Sequence, residues 1–148
     1  SIFIFSKDSF ISWFGVGSGG ASGMIPYAPV LSDTELNSGL LYINTEVTTD
    51  CALNGTMHPI DTISFEEDTE NDNRKLISRF TLVLGRNDAN GPNGDTYYDI
   101  NELGLYVSDS TDKDAVNSLS FKLFARVTFS TYRKYTNRQT VFEWDVYF

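Results

Sequence analysis

Gly15, Gly17 and Gly20 in the run GVGSGG have the spacing of a dinucleotide-binding loop, and they follow an apolar run that reads as a strand. A phosphate held there needs a helix N-terminus behind the glycines. The chain instead continues through residues 21–29 with Pro26 and Pro29 and no helical pattern, so a glycine-rich turn is expected. Asp88, Asn90 and Asp95 suggest a calcium loop, but the spacing puts Pro92 and Asn93 where an acid or amide and a glycine are needed. Glu66, Glu67, Asp68, Glu70 and Asp72 supply oxygens without a glycine to turn the chain around an ion, which is the pattern of a solvated loop. His58 and Cys51 are the sole histidine and cysteine. Nucleophilic catalysis would rest on His58 alone, and a zinc site would need carboxylates. Glu102, or Glu143 with Asp145, could flank a sugar by residue type, but such pairs arise by chance in any β protein. Asn54-Gly55-Thr56 fits a glycosylation acceptor and is read as coincidence. No catalytic residue, metal ligand or cofactor follows from these patterns, and a non-enzymatic protein is expected.

The 148 residues suit one domain, and 41% hydrophobic with 14% aromatic content is enough to fill a core. Phe and Tyr interleaved with Thr, Val and Ile are the vocabulary of half-buried pleated surfaces. Lys7 is the only basic residue before Arg74, against eleven acids, whereas the remainder is nearly neutral. No face able to neutralise several phosphates is evident, so nucleic acid is not an expected partner. One cysteine forms no intrachain disulfide, which suits a reducing cytoplasm. Residues 1–14 are apolar but broken by Lys7 and Asp8, and they are too short to span a bilayer; neither a signal peptide nor a membrane span is expected.

Period-two alternation is clearest late in the chain. Phe121, Leu123, Ala125, Val127 and Phe129 are expected on one face of a strand, and Phe142, Trp144, Val146 and Phe148 on one face of another. Residues 130–139 read as a polar connection between them. Further strands are expected at 76–84, 100–107, 41–47 and within 10–16, with one helical turn within 32–40. The segments 17–37 and 48–73 read as long loops that wrap the surface or reach a neighbour, and 87–95 is loop on its Gly and Pro content. The expected fold is a single all-β domain over 1–148, an antiparallel sandwich of jelly-roll-like or Ig-like type.

The blocks ISWFGVGSGGAS, Asp33-Thr34-Glu35-Leu36, Glu102-Leu103-Gly104-Leu105, KLFARVTF and the ending Trp144, Val146, Phe148 occur in this order over nearly the whole chain. Together they resemble a module of structural proteins in tailed-bacteriophage particles, found in tail, baseplate, neck and fibre components. The resemblance implies a virion building block, assembled in the bacterial cytoplasm from copies of itself and other virion proteins. A receptor- or glycan-binding module of a tail fibre is the alternative. The long acidic 48–73 segment and the lengthened 109–118 turn depart from the pattern.

Candidate structural residues are Gly15, Gly17, Glu102, Gly104, Arg126 and Trp144. Gly104, midway along a bulky strand, implies a bulge or the close approach of another backbone or an aromatic ring, with Trp144 one candidate. Glu102, if buried, requires a donor, and Arg126 on the following strand is the expected one. Candidate interface residues are Ile2, Phe3, Ile4 and Phe5, too apolar for a free tail and expected to pair into a sheet, with Tyr132 and Tyr135. The outward face of the last strand, Glu143, Asp145 and Tyr147 with Val141, completes the set; Phe148 is read as closing both the module and the chain.

Overall fold

The computed structural model describes residues 4–6, 9–30, 32–38, 41, 43, 56–68, 75–90, 97–108 and 121–147. In chain order the strands are β1 (Ile4–Ser6), β2 (Ser9–Gly17), β3 (Ala21–Ser22), β4 (Ile25–Pro26), β5 (His58–Pro59), β6 (Thr62–Asp68), β7 (Lys75–Leu84), β8 (Tyr97–Ser108), β9 (Phe121–Tyr135) and β10 (Thr140–Tyr147). The fold is all-β, and no helix is present among the described residues. All pairings are antiparallel. The larger sheet runs β1-β2-β8-β9 with β5 also on β2, the smaller runs β10-β7-β6, and β3-β4 is a short hairpin.

Alternation dictates which side chains meet. On the smaller sheet Phe142 lies opposite Leu82, Trp144 opposite Phe80 and Val146 opposite Ser78, while Glu143 and Asp145 face Thr81 and Arg79 on the other side. Phe80, Leu82 and Leu84 share one buried cluster with Phe14, Val16, Ile100, Leu103 and Leu105 of the larger sheet. Two sheets facing each other over one apolar layer give a sandwich-like arrangement. Ile43 and Ala89 fill the same core from connections.

A second cluster, Trp13, Met57 and Tyr106 with Phe121 and Leu123, lies on the other face of the larger sheet. Register shifts create it. Ile11 pairs with Val107 but Trp13 with Tyr106, so Ser12 is an extra residue on β2. Leu105 pairs with Ala125 but Tyr106 with Leu123, so Phe124 is extra on β9. Each bulge inverts the inside–outside alternation beyond it. Phe121 and Leu123 therefore point away from the core that holds Val127 and Phe129, which corrects the single-face reading of that strand. The outer edge of β2 is closed piecewise by β1, by β5 and by the Leu41 amide, which donates to the Val16 carbonyl at 2.9 Å.

Other expectations change too. Strand β9 continues through Tyr135, so residues 130–135 are strand and only 136–139 connect it to β10. Asn137 takes a left-handed φ of 64° in that turn. The segment 48–73 contains β5 and β6; Ile63 and Phe65 in β6 align with Phe80 and Ser78, so its acids ride on an edge strand. Leu41 and Ile43 are not in a strand, the described part of 32–40 forms turns, and residues 44–47 lie outside the described set. Ile2, Phe3, Cys51, Asn54, Asp95, residues 109–118 and Phe148 also lie outside it, and for Ile4 and Phe5 only the backbone is described, paired to β2.

Candidate functional site

Three separate stretches of chain converge on Glu102, whose side chain is fully buried. In register it lies opposite Gly17 of β2 and Thr128 of β9, on the outer face of the larger sheet, beneath the segment that follows β2. Its Oε1 accepts from the Gly19 amide at 3.0 Å, the Ser38 amide at 3.1 Å and the Ser38 hydroxyl at 3.0 Å. Its Oε2 accepts from the Asn37 amide at 3.1 Å and from Arg126 Nε and Nη2 at 2.9 and 2.8 Å. Arg126, itself almost buried, donates a third bond from Nη1 to Asp33 Oδ2 at 3.1 Å, and that oxygen also accepts the Val30 amide at 3.0 Å. Burial alone raises the Glu102 pKa. The Arg126 bond and the Ser38, Asn37 and Gly19 amides outweigh it, so the carboxyl is held below its ordinary range.

The glycines of GVGSGG make this approach feasible. A Cβ on Gly17 would meet the Glu102 carboxylate and lie 2.8 Å from its Cγ. One on Gly20 would meet the Asn101 carbonyl and lie 2.8 Å from Glu102 Cβ, while the Gly20 amide donates to Asn101 Oδ1 at 2.6 Å. The glycine-rich run thus packs directly over the protein's own carboxylate, to which the Gly19 amide donates. Gly20→Ala is expected to cost about 1–3 kcal/mol in denaturant unfolding, because the obstacles are backbone and Cβ atoms.

Gly104 lies opposite Gly15. The ring pressed against Gly104 is Tyr106: a Cβ on Gly104 would lie 2.7 Å from that ring and 2.9 Å from Leu123. Trp144 packs against the main core from the other sheet, which corrects its pairing with Gly104. Burial raises the Tyr106 hydroxyl pKa, with Glu102 adding to the effect.

The Glu102–Arg126–Asp33 network pins the segment after β2, and β9 completes the attachment. Thr131 and Ser130 donate to the Gly23 and Met24 carbonyls at 2.6 and 2.8 Å, and Thr128 donates to the Tyr27 carbonyl. With the backbone held down, the side chains are left outside: Met24 and Ile25 are each 71% exposed, Val30 58% and Tyr27 49%. Leu36, buried at 2%, anchors the far end of the segment.

Tyr132, Arg133, Tyr135, Thr136 and Arg138 line an open cleft of about 740 Å³ at the end of β9. Its walls are braced. Arg133 bonds Asp99 at 2.9 Å and stacks over the Tyr97 ring at 3.8 Å, and Tyr97 meets Tyr135 edge-on. On the outer face of the smaller sheet, Glu143 and Tyr147 are exposed, whereas Asp145 accepts from Arg79 at 2.8 and 3.0 Å. The Arg79 hydrogen bond holds the Asp145 carboxyl below its usual range.

His58 is half-buried in β5 rather than in a loop; its ring packs on Phe14 and lies 3.8 Å from Asp88. Asp88 is occupied in closing its own turn, accepting the Gly85 amide at 2.7 Å. Glu102 lies on the larger sheet and Glu143 and Asp145 on the smaller, so Glu102 shares no sheet with the other two acids considered for glycoside chemistry. Among the described residues no three His, Cys, Asp or Glu side chains are grouped to hold a metal, and no helix is long and apolar enough to cross a membrane.

Sequence reasoning singled out Glu102, Arg126 and Gly17, which the structure brings together. It passed over Asp33 as an ion-pair partner and the Asn37 and Ser38 amides. Asp33 stands in the block Asp33-Thr34-Glu35-Leu36, but its partner Arg126 is far along the chain. Comparison with protein-family models, curated proteins and solved structures returns no match.

Proposed function

We propose that this protein is a non-enzymatic assembly module, a structural component of a tailed-phage particle that joins copies of itself and other particle proteins. The observation that carries the reading is the pinned apolar segment: Met24, Ile25, Tyr27 and Val30 project into solvent from a backbone tied to β9 and to the buried network. Exposed, contiguous apolar side chains on a rigid support mark protein interaction surfaces. The acid with the most perturbed surroundings, Glu102, has both oxygens occupied and no access to solvent, which supports a holding role over proton transfer. The phage assignment is supported by the ordered sequence blocks, three of which contribute to this one network through Gly19, Asp33 and Glu102, with Arg126 from a fourth.

Native mass spectrometry of the full chain tests the reading: a defined oligomer is expected, and a monomer at every concentration would overturn self-assembly. The second reading, a glycan-binding module, is favoured by the tyrosine-lined cleft, since such rings suit sugar faces. Specific signals on a glycan array from a monomeric chain would establish it in place of the first.

A further inference from the structure

The exposed segment has the order Pro26-Tyr27-Ala28-Pro29, a P-x-x-P arrangement, and all four residues are exposed. Each proline fixes its own φ and biases the residue before it toward extended backbone. Segments of this type dock into grooves lined by aromatic rings, because little conformational entropy remains to be lost. Here the Thr128 and Ser130 bonds to the Tyr27 and Met24 carbonyls order the segment further. The same strand, β9, carries such a groove a few residues later, with Tyr132 and Tyr135 as rings and Arg138 as a cation, while Arg133 is held by Asp99.

We propose, building on the assembly reading above, that the Pro26–Pro29 segment of one copy docks into the Tyr132–Tyr135 cleft of a second copy. Charge supports a second copy as occupant. The segment is followed by the exposed acid Glu35 in a half of the chain that is strongly acidic, and the cleft presents Arg138, Arg133 being paired to Asp99. Placement supports reciprocity. Segment and cleft are separated by only a few residues of β9, about 20 Å at the rise of a strand, so a two-fold axis lets each copy give its segment and receive its partner's within one patch. The segment does not serve its own cleft, because Thr128, Ser130 and Thr131 tie it to the strand upstream of the tyrosines.

Sedimentation velocity on the full chain, from about 1 μM to about 500 μM, reads the association directly. Wild type is expected to dimerise. The double variant Pro26→Ser/Pro29→Ser and the single variant Tyr135→Ser are each expected to weaken dimerisation at least about tenfold with unchanged circular dichroism. Mixing those two variants is expected to restore a one-to-one heterodimer, since each retains one intact half. Glu35→Arg and Arg138→Glu are expected to weaken association singly and to recover it together. If wild type associates but both sets of variants associate equally well, this docking is overturned while the assembly reading stands. If wild type stays monomeric throughout, both are overturned, and Tyr135-dependent signals on a glycan array would assign the cleft to sugar.

Discussion

Arg126→Ala is expected to destabilise the protein by about 3–5 kcal/mol, the cost of leaving a buried carboxylate without its cation. That is a large share of the roughly 5–15 kcal/mol that holds a domain of this kind together. An isolated buried ion pair is often replaced by apolar residues at little cost, but this one differs. Glu102 also accepts the Gly19, Asn37 and Ser38 amides, so an apolar replacement of both partners would orphan three backbone donors. The double variant Glu102→Leu/Arg126→Leu should therefore remain well below wild type in urea midpoint. Glu102→Gln is instructive in another way: one of its two oxygens becomes an NH₂ that must face either the arginine or the amides, donor against donor. Acid titration gives an independent check. The folded carboxyl sits below its ordinary value near 4.5, so its contribution is fully present above that pH and is lost as pH falls through the folded pKa. Glu102→Gln should flatten that part of the stability profile. A wild-type acid profile indistinguishable from that of Glu102→Gln would remove the network from its pinning role.

The all-β class, β2, β7, β8 and β10 were legible because alternation along a strand is a local signal. Phe142, Trp144 and Val146 face the core at the spacing read from the chain. The faces of Phe121 and Leu123 were not legible, because Ser12 and Phe124 become bulges only once strands pair, and nothing in either residue type announces an insertion. Strand β6 was hidden by composition: Glu66, Glu67 and Asp68 are poor strand formers, and it is pairing with β7 that holds them extended. At the Glu102 site the acid and its arginine were readable from position on neighbouring strands. The amides of Asn37 and Ser38 were not, since a backbone donor carries no sequence signature and its arrival depends on where a long segment returns.

These two kinds of information meet in the segment between Gly20 and Leu36. Its prolines and apolar side chains are plain in the sequence and read as a loop. Their presentation depends on hydroxyls of β9, which tie down carbonyls about a hundred residues earlier in the chain. A polar strand face thereby serves as a mounting for an apolar surface, which explains why Thr128, Ser130 and Thr131 interrupt a strand otherwise rich in bulky residues.

Trp13→Ala is expected to cost about 3–5 kcal/mol, as much as truncating an aromatic of the main core. Trp13 is 1% exposed although it lies on the outer face of the larger sheet, away from the layer between the sheets. It donates from Nε1 to the Ser108 hydroxyl at 2.8 Å, and its ring meets Phe121 at a centroid distance of 5.6 Å and an angle of 87°. Edge-on pairs of this kind contribute about 0.5–1.5 kcal/mol beyond burial, so Trp13→Ala and Phe121→Ala together should fall short of additivity by about that amount. Trp13→Ala combined with Leu82→Val should instead add, because Leu82 belongs to the separate cluster between the sheets. Equilibrium urea unfolding of the single and double variants reads both couplings. A loss below about 1 kcal/mol for Trp13→Ala would mean that the outer cluster is surface packing rather than a second core, and that the bulges at Ser12 and Phe124 do not build a buried layer.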